Sequence, residues 1–347
     1  MKLGSEFLRI ALLAIAVYCA PFLLCRGQEP ASGSPYHPSE IVSGTIRIWG
    51  DEYMSAVTKY WAAGFQKYHP EARFETKLMG TATAMPSIYL GMADLALMGR
   101  ESNTTDNDGF LHVLNYTPLR MELMNGSLDV PGKSYALVIF VHKDNPISQL
   151  TLPQLDAIFG CEHLKGLRNI RTWGQLGLGG EWKDKPIQLY GYDAETGTGL
   201  FFLHAALANS RKMNWENLRE FTDTHNPDGS IYEAGQQIVN ALESDRYGVG
   251  VSNIRYANDQ VKALALASGE GQHYYQATKQ TLIARTYPLT RSTYAFVNRP
   301  PGKPLGPKIK EFLRYTLSRE GQLDILREGG FLPLSADAIR EQLKKLE

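Results

Sequence analysis

The chain has 347 residues, enough for two domains of ordinary size, and 43% of them are hydrophobic, as a packed globular core requires. Its 36 basic residues balance 36 acidic ones, so the formal net charge is zero and no general positive field is available to hold nucleic acid. A specific small-molecule site stays open, because local charge need not follow net charge.

The N-terminus departs from this average. Lys2 and Arg9 precede or start an apolar run from Ile10 to Leu24, and Arg26, Gly27 and a Pro/Gly/Ser-rich stretch follow. The run is short for a spanning helix and Pro21 interrupts it, so the pattern predicts an export signal over residues 1–27 that is cleaved. Cys25 follows Phe22-Leu23-Leu24, which lacks the small residues that precede a lipidated cysteine, and no lipid anchor is expected there. Cys161 is then the single cysteine of the mature chain, which leaves no intrachain disulfide. Residues 28–43 read as a flexible lead.

Strands and helices alternate from there. Ile46 to Trp49 predicts a strand ending at Gly50, and Met54 to Tyr68 a helix stopped by His69-Pro70. Arg73 to Leu78 is the next strand, Gly80 to Ala84 a small-residue turn, and Met85 to Leu90 a short helix. Ala93 to Met98 is an apolar strand ending at Gly99-Arg100-Glu101. The order argues for an α/β fold, with polar loops at the strand ends where such sheets bind ligands. Residues 104–125 receive no element in this reading.

A second unit starts near Tyr135. Ala136 to Val141 predicts a strand, Asn145-Pro146 a turn, and Leu150 to Phe159 a short helix. A Gly-rich connection spans Gly160 to Lys185. Then an apolar strand from Pro186 runs into a polar loop ending Thr196-Gly197-Thr198-Gly199, with a helix over Leu200 to Ala208. A helix over Ala234 to Glu243 and a strand over Tyr247 to Val251 come next, and Tyr256 to Ala267 mixes both signals. Tyr287 to Val297 is turn then strand. Helices over Pro307–Thr316 and Ser318–Glu328, an apolar strip at Phe331 to Leu334 and a helix over Ala336–Leu346 close the chain.

The motifs of common enzymes are missing: there is no His-Glu-x-x-His, no Gly-x-Ser-x-Gly and no phosphate-loop Gly-Lys-Ser/Thr. The histidines form no metal-ligand spacing, so neither a metal nor another cofactor is expected, and the chain does not read as an enzyme. Asp51 and Glu52 are adjacent and would point in different directions from an extended chain, a poor acid/base pair. The loops after strands offer more. Arg100 can give bidentate hydrogen bonds to an oxyanion, or form a surface salt bridge. Thr196 and Thr198 bring hydroxyls to a helix start whose N–H groups are free, although capping alone also accounts for threonine there. Tyr192 can stack, donate its hydroxyl, or only pack. Thr81 and Thr83 are similar candidates, and Glu101 either orients Arg100 or offers an acceptor.

Several stretches in fixed order resemble the phosphate-type, PstS-like solute-binding proteins of bacterial ABC transporters. They are Ile48 to Met54, Gly80-Thr81-Ala82-Thr83, Gly91 to Arg100, Asn145-Pro146-Ile147 with Leu150 to Gly160 and Trp173, Thr196-Gly197-Thr198, Tyr287-Pro288-Leu289 with Arg291, Gly321-Gln322, and Gly330 to Leu334. The resemblance covers roughly residues 43–335. It implies a type II periplasmic-binding-protein fold: a discontinuous first α/β lobe (44–138 and 286–347), an inserted second lobe (139–285) and a two-stranded hinge. It also implies an interlobe cleft where Asp51, Glu52, Tyr53, Thr81, Thr83, Arg100, Tyr192, Thr196, Gly197 and Thr198 meet a ligand.

The implied role is that of a monomer of the periplasm or cell exterior that hands a small anion such as phosphate to an ABC permease. The alternative is a binding or sensing protein of the same fold, outside transport, with a different polar ligand. Four positions depart from the family pattern. Tyr192 stands where phosphate-binding members carry Arg. The first loop holds Asp51, Glu52 and Tyr53 in place of Ser/Thr-rich donors, Gly99 lacks a side chain, and Glu101 replaces a common Pro. Phosphate, another oxyanion, and a polar ligand whose hydroxyl or cationic group meets Asp51 or Glu52 all remain open.

Overall fold

The computed structural model describes residues 32–347; the expected export signal and Cys25 lie outside the described residues. The first half of the chain gives β1 (Gly44–Gly50), α1 (Ser55–Gln66), β2 (Ala72–Leu78), α2 (Ala84–Tyr89), β3 (Leu95–Met98), α3 (Thr104–Leu114) and β4 (Leu119–Asn125). The chain then passes to β5 (Val138–His142), β6 (Gln149–Thr151), α4 (Leu152–Phe159), β7 (Gln188–Tyr192), α5 (Gly197–Ala206) and β8 (Leu218–Phe221). Next come β9 (Thr224–His225), β10 (Ile231–Tyr232), α6 (Ala234–Glu243), β11 (Gly248–Ser252), β12 (Val261–Ala263), β13 (Ala265–Ala267) and α7 (Lys279–Ile283). It ends with β14 (Ser292–Val297), α8 (Pro307–Thr316), α9 (Arg319–Glu328) and α10 (Ala336–Lys344).

Two five-stranded sheets result, ordered β2-β1-β3-β14-β4 and β12-β5-β11-β7-β8, beside two short ribbons, β10-β9 and β13-β6. The first sheet is discontinuous in sequence: β14 returns from beyond the second sheet and inserts between β3 and β4, antiparallel to both. The chain therefore crosses between sheets twice, and the crossings hold each other. Gly126 N–H donates to the Arg291 carbonyl at 2.9 Å, and Leu137 N–H to the Leu289 carbonyl at 3.2 Å.

The first sheet is apolar on both faces because helices cover both. Leu95, Leu97, Ala295 and Val297 face a core shared with Trp61 and Phe65 of α1 and Phe312 of α8. The alternate residues, Ala96, Met98, Tyr294 and Phe296, face Met85, Ile88 and Phe110 of α2 and α3. This is the period-two pattern of strands buried from both sides. The second sheet has its own core, with Phe140, Leu189, Val249, Trp173 and Ile238 fully or nearly fully buried.

Two regions differ from the sequence reading. Residues 104–125 hold α3 and β4. The start of α3 is fixed by a capping box, Asn103 with Asp106, but Phe110 is its one buried residue, so its apolar periodicity is faint. The described part of the expected lead is anchored. Tyr36 is buried, its N–H donates to Glu320 and its hydroxyl to Glu311, and Val42 N–H donates to His69 Nδ1.

Candidate functional site

The ends of three neighbouring strands meet at one carboxylate. Asp51 follows β1, Thr81 lies beyond β2, and Gly99 follows β3. Asp51 Oδ1 accepts the Tyr53 N–H at 2.9 Å, and Oδ2 accepts the Gly99 N–H at 3.1 Å and the Thr81 hydroxyl at 3.3 Å. Asp51 is 7% exposed. Burial, helped by the charge of Glu52, pushes its carboxyl above the ordinary carboxylate range, and the three hydrogen bonds oppose that shift without cancelling it. Gly99 makes this possible, since a Cβ there would lie 2.5 Å from Asp51 Oδ2 and 2.8 Å from Ser134 Oγ. Ser134 closes the arrangement by donating its hydroxyl to the Gly99 carbonyl at 2.7 Å.

The start of α5 faces this cluster from the second sheet. Thr196 is its N-cap: the side-chain oxygen accepts the Gly199 N–H at 3.0 Å and donates to the Asp193 carbonyl at 2.7 Å. The N–H groups of Gly197 and Thr198 have no acceptor among the described residues, as expected for the first turn of a helix. Between α5 and the first-sheet loops lies a cavity of about 310 Å³. Arg291, just before β14, reaches into it and donates to Thr198 Oγ1 at 3.3 Å and to the Gly197 carbonyl at 3.5 Å.

The structure gathers Asp51, Tyr53, Thr81, Arg100, Gly197 and Thr198 on the wall of this cavity. Four other expected residues lie off it. Glu52 lines a separate outer groove beside α1, and Thr83 donates its hydroxyl to the Gly80 carbonyl at 2.8 Å. Thr196 is spent on the cap. Tyr192 is buried behind the wall, its hydroxyl 3.4 Å from that of Tyr135. Arg100 stands at the wall, but its charge is engaged: Nη1 pairs with Asp106 at 2.5 Å and donates to the Glu101 carbonyl at 2.8 Å. Ser134, Tyr135 and Arg291 also line the cavity and were not among the residues expected from sequence. Nothing in local spacing marks them, because the two crossing segments bring them to the site.

A second cavity of about 300 Å³ adjoins the first through Arg100 and Gly197. Two contacts across it join residues of the two sheets' surroundings. His204 Nε2 meets Glu101 Oε2 at 2.9 Å, and Arg211 donates to Thr104 Oγ1 at 3.1 Å. The Glu101 hydrogen bond holds His204 above its ordinary pKa against the effect of burial. Burial pushes Glu101 up, but hydrogen bonds from His204 and Tyr294, with the Arg120 charge, bring it below its ordinary value. Among the described residues no group of three His, Cys, Asp or Glu side chains could hold a metal ion, and no helix is long and apolar enough to cross a membrane.

This arrangement can hold a small polar ligand between free helix N–H groups, a guanidinium and hydroxyls. The PBP superfamily domain matches residues 36–320 of the chain. The phosphate-binding protein PstS of Pseudomonas aeruginosa is 33% identical over 312 residues, which is 90% of this chain and 90% of that protein. Protein SphX of Synechococcus elongatus is 27% identical over 214 residues, 61% of this chain and 57% of that one. The crystal structure of PstS from Borrelia burgdorferi superposes with a TM-score of 0.55 at 15% identity, covering 84% of this chain and 100% of that chain, a likeness of fold. With both its sheets and its sequence in agreement, the chain belongs to the PstS-like solute-binding family of the PBP superfamily, with the two-lobe fold of that family.

Proposed function

We propose that this protein captures phosphate or a related small oxyanion between its two sheets and delivers it to an ABC permease, acting by binding and not by catalysis. The observation that carries the reading is the start of α5. Two N–H groups without acceptors among the described residues open onto a cavity of about 310 Å³ whose opposite wall is built from three strand-end loops. A helix N-terminus favours an anion through both its free N–H groups and its dipole. The relative at 33% identity carries a name that specifies phosphate. Family membership supports delivery to a permease, and the basic and apolar N-terminus supports export.

The lobes of this reading are residues 44–138 with 286–347, and 139–285. The membership of β14 in the first sheet supports that division, and the two crossing segments supply a place for the lobes to bend about. Asp51 adds a constraint on the ligand. A dianion pressed against an ionised carboxylate is repelled, so the bound species must bring a proton or another donor toward Asp51, or leave that carboxyl protonated. Isothermal titration of the mature protein with phosphate, sulfate and related anions is the test. Saturable binding of at least one is expected, and no binding at millimolar levels would remove the oxyanion reading. A ligand with a hydroxyl or ammonium group that binds where simple anions do not would favour the alternative of a different polar ligand.

A further inference from the structure

Resting on the oxyanion reading, we propose that Arg291 supplies the positive charge of the site, a role that falls neither to Arg100 nor to position 192. Arg291 is 7% exposed, as buried as any charged side chain of the cavity wall. The only hydrogen bonds of its side chain among the described residues are the two long ones to Thr198 and Gly197, and no carboxylate there stands within ion-pair distance of it. A guanidinium has five N–H donors, so most of its bonding capacity is unassigned. Its surroundings are phenols and one more distant carboxylate: Tyr135, Tyr192, Tyr294 and Asp51. Phe201 of α5 places its ring centroid 5.3 Å from the guanidinium carbon.

A buried cation left in that state is costly unless something anionic meets it. Arg100 is the contrast. It lines the same cavity, but Asp106 already neutralises it, and Asp106 is fixed in place by the capping box of α3. Position 192 is a tyrosine whose hydroxyl turns to Tyr135. The charge and the free amides converge at Thr198, which accepts from Arg291 through its hydroxyl and offers its own N–H. The backbone of Arg291 is pinned, because its carbonyl accepts the Gly126 N–H where the chain crosses between sheets. Arg291 thus joins the start of α5 to the crossing segments, and an anion held by both would tie the second sheet's helix to the first sheet's returning strand.

The experiment is titration of inorganic phosphate at one fixed low ionic strength into wild type, Arg291→Lys, Arg291→Gln and Arg100→Gln. Circular dichroism and unfolding without phosphate are recorded for each. Arg291→Gln is expected to lose affinity by about 100-fold or more, the loss typical of removing one partner of a buried charge pair. Arg291→Lys should fall between it and wild type, because lysine keeps the charge but not the planar fork. Arg100→Gln should lose less than Arg291→Gln. A folded Arg291→Gln protein that binds phosphate within about twofold of wild type overturns the proposal and leaves the oxyanion reading standing. A loss for Arg100→Gln as large as for Arg291→Gln also overturns it. If Arg291→Gln does not fold, Arg291→Lys decides: affinity within about twofold of wild type counts against the role, and a marked loss supports it. Wild type that binds neither phosphate nor sulfate overturns both this assignment and the reading beneath it.

Discussion

The Asp51 carboxylate occupies the space that a side chain on Gly99 would fill. A Cβ at 99 would lie 2.5 Å from Oδ2, and the Gly99 N–H donates to that same oxygen at 3.1 Å. Gly99→Ser should therefore overpack the site and cost about 1–3 kcal/mol of stability. Replacing Asp51 by Ser removes the nearer of two obstacles, the Ser134 hydroxyl at 2.8 Å being the other, so the double variant Asp51→Ser/Gly99→Ser should recover part of that loss. Denaturant unfolding of the two single variants and the double reads the coupling directly. Additive losses would show that the two positions do not share the space.

The two threonines at the start of α5 should separate by readout. Thr196→Ala removes the cap to Gly199 and should cost about 1 kcal/mol of stability. Thr198 has no capping role, and its hydroxyl lies on the cavity wall. Thr198→Ala should cost about 1–2 kcal/mol of oxyanion affinity and less in stability. Titration alongside thermal unfolding of both variants checks the contrast. Unchanged affinity in Thr198→Ala would mean that its hydroxyl makes no ligand contact.

Acid and base should both weaken the His204–Glu101 contact. The pKa of His204 is raised above its ordinary 6.5, so its contribution is full below that pH and fades as pH climbs through the raised value. Glu101 is held below its ordinary 4.5, so its contribution is full above that pH and fades as pH falls through the lowered value. The pair is therefore at full strength between pH 4.5 and 6.5. His204 is well exposed, which keeps the contribution to roughly 0.2–1 kcal/mol. The stability difference between wild type and His204→Gln, measured across pH 4 to 9, should peak in that window. A difference independent of pH would remove the ionic account.

Lys133 holds the first crossing segment to the first sheet's helices. Its ammonium pairs with Glu328 at 2.5 Å and donates to the Tyr53 carbonyl at 2.7 Å. Glu328 is almost fully buried and also accepts the N–H groups of Gly330 and Phe331. Lys133→Met should leave that carboxylate without its cation and cost about 2–4 kcal/mol. Denaturant unfolding at neutral pH tests it, and a loss under about 0.5 kcal/mol would place the pair with ordinary surface salt bridges.

Much of the architecture was legible because burial leaves a periodic trace. The strand ending at Met98, the helix Ala234–Glu243 and the tail helix Pro307–Thr316 appear where the apolar pattern put them. The region 104–125 was not legible, since α3 buries little and its start is set by a polar capping box. Of the cavity wall, Thr81, Gly197 and Thr198 were legible from a strand-end loop and a helix start, and Asp51 from the family resemblance. Thr83 and Thr196 carry the same chemistry in sequence, but their hydroxyls bond the backbone close by.

The alternating α/β order, the family, and a helix start able to meet an anion are all written in local pattern and spacing. Where the charge stands is set by packing between segments far apart in the chain. Arg100 and Arg291 are indistinguishable as isolated arginines at the ends of apolar segments. Folding gives Arg100 a carboxylate six residues away on α3. It carries Arg291 across 93 residues of chain to the start of α5, where no carboxylate among the described residues meets it. The difference is one of partner and burial, which belong to the packed molecule and not to either residue.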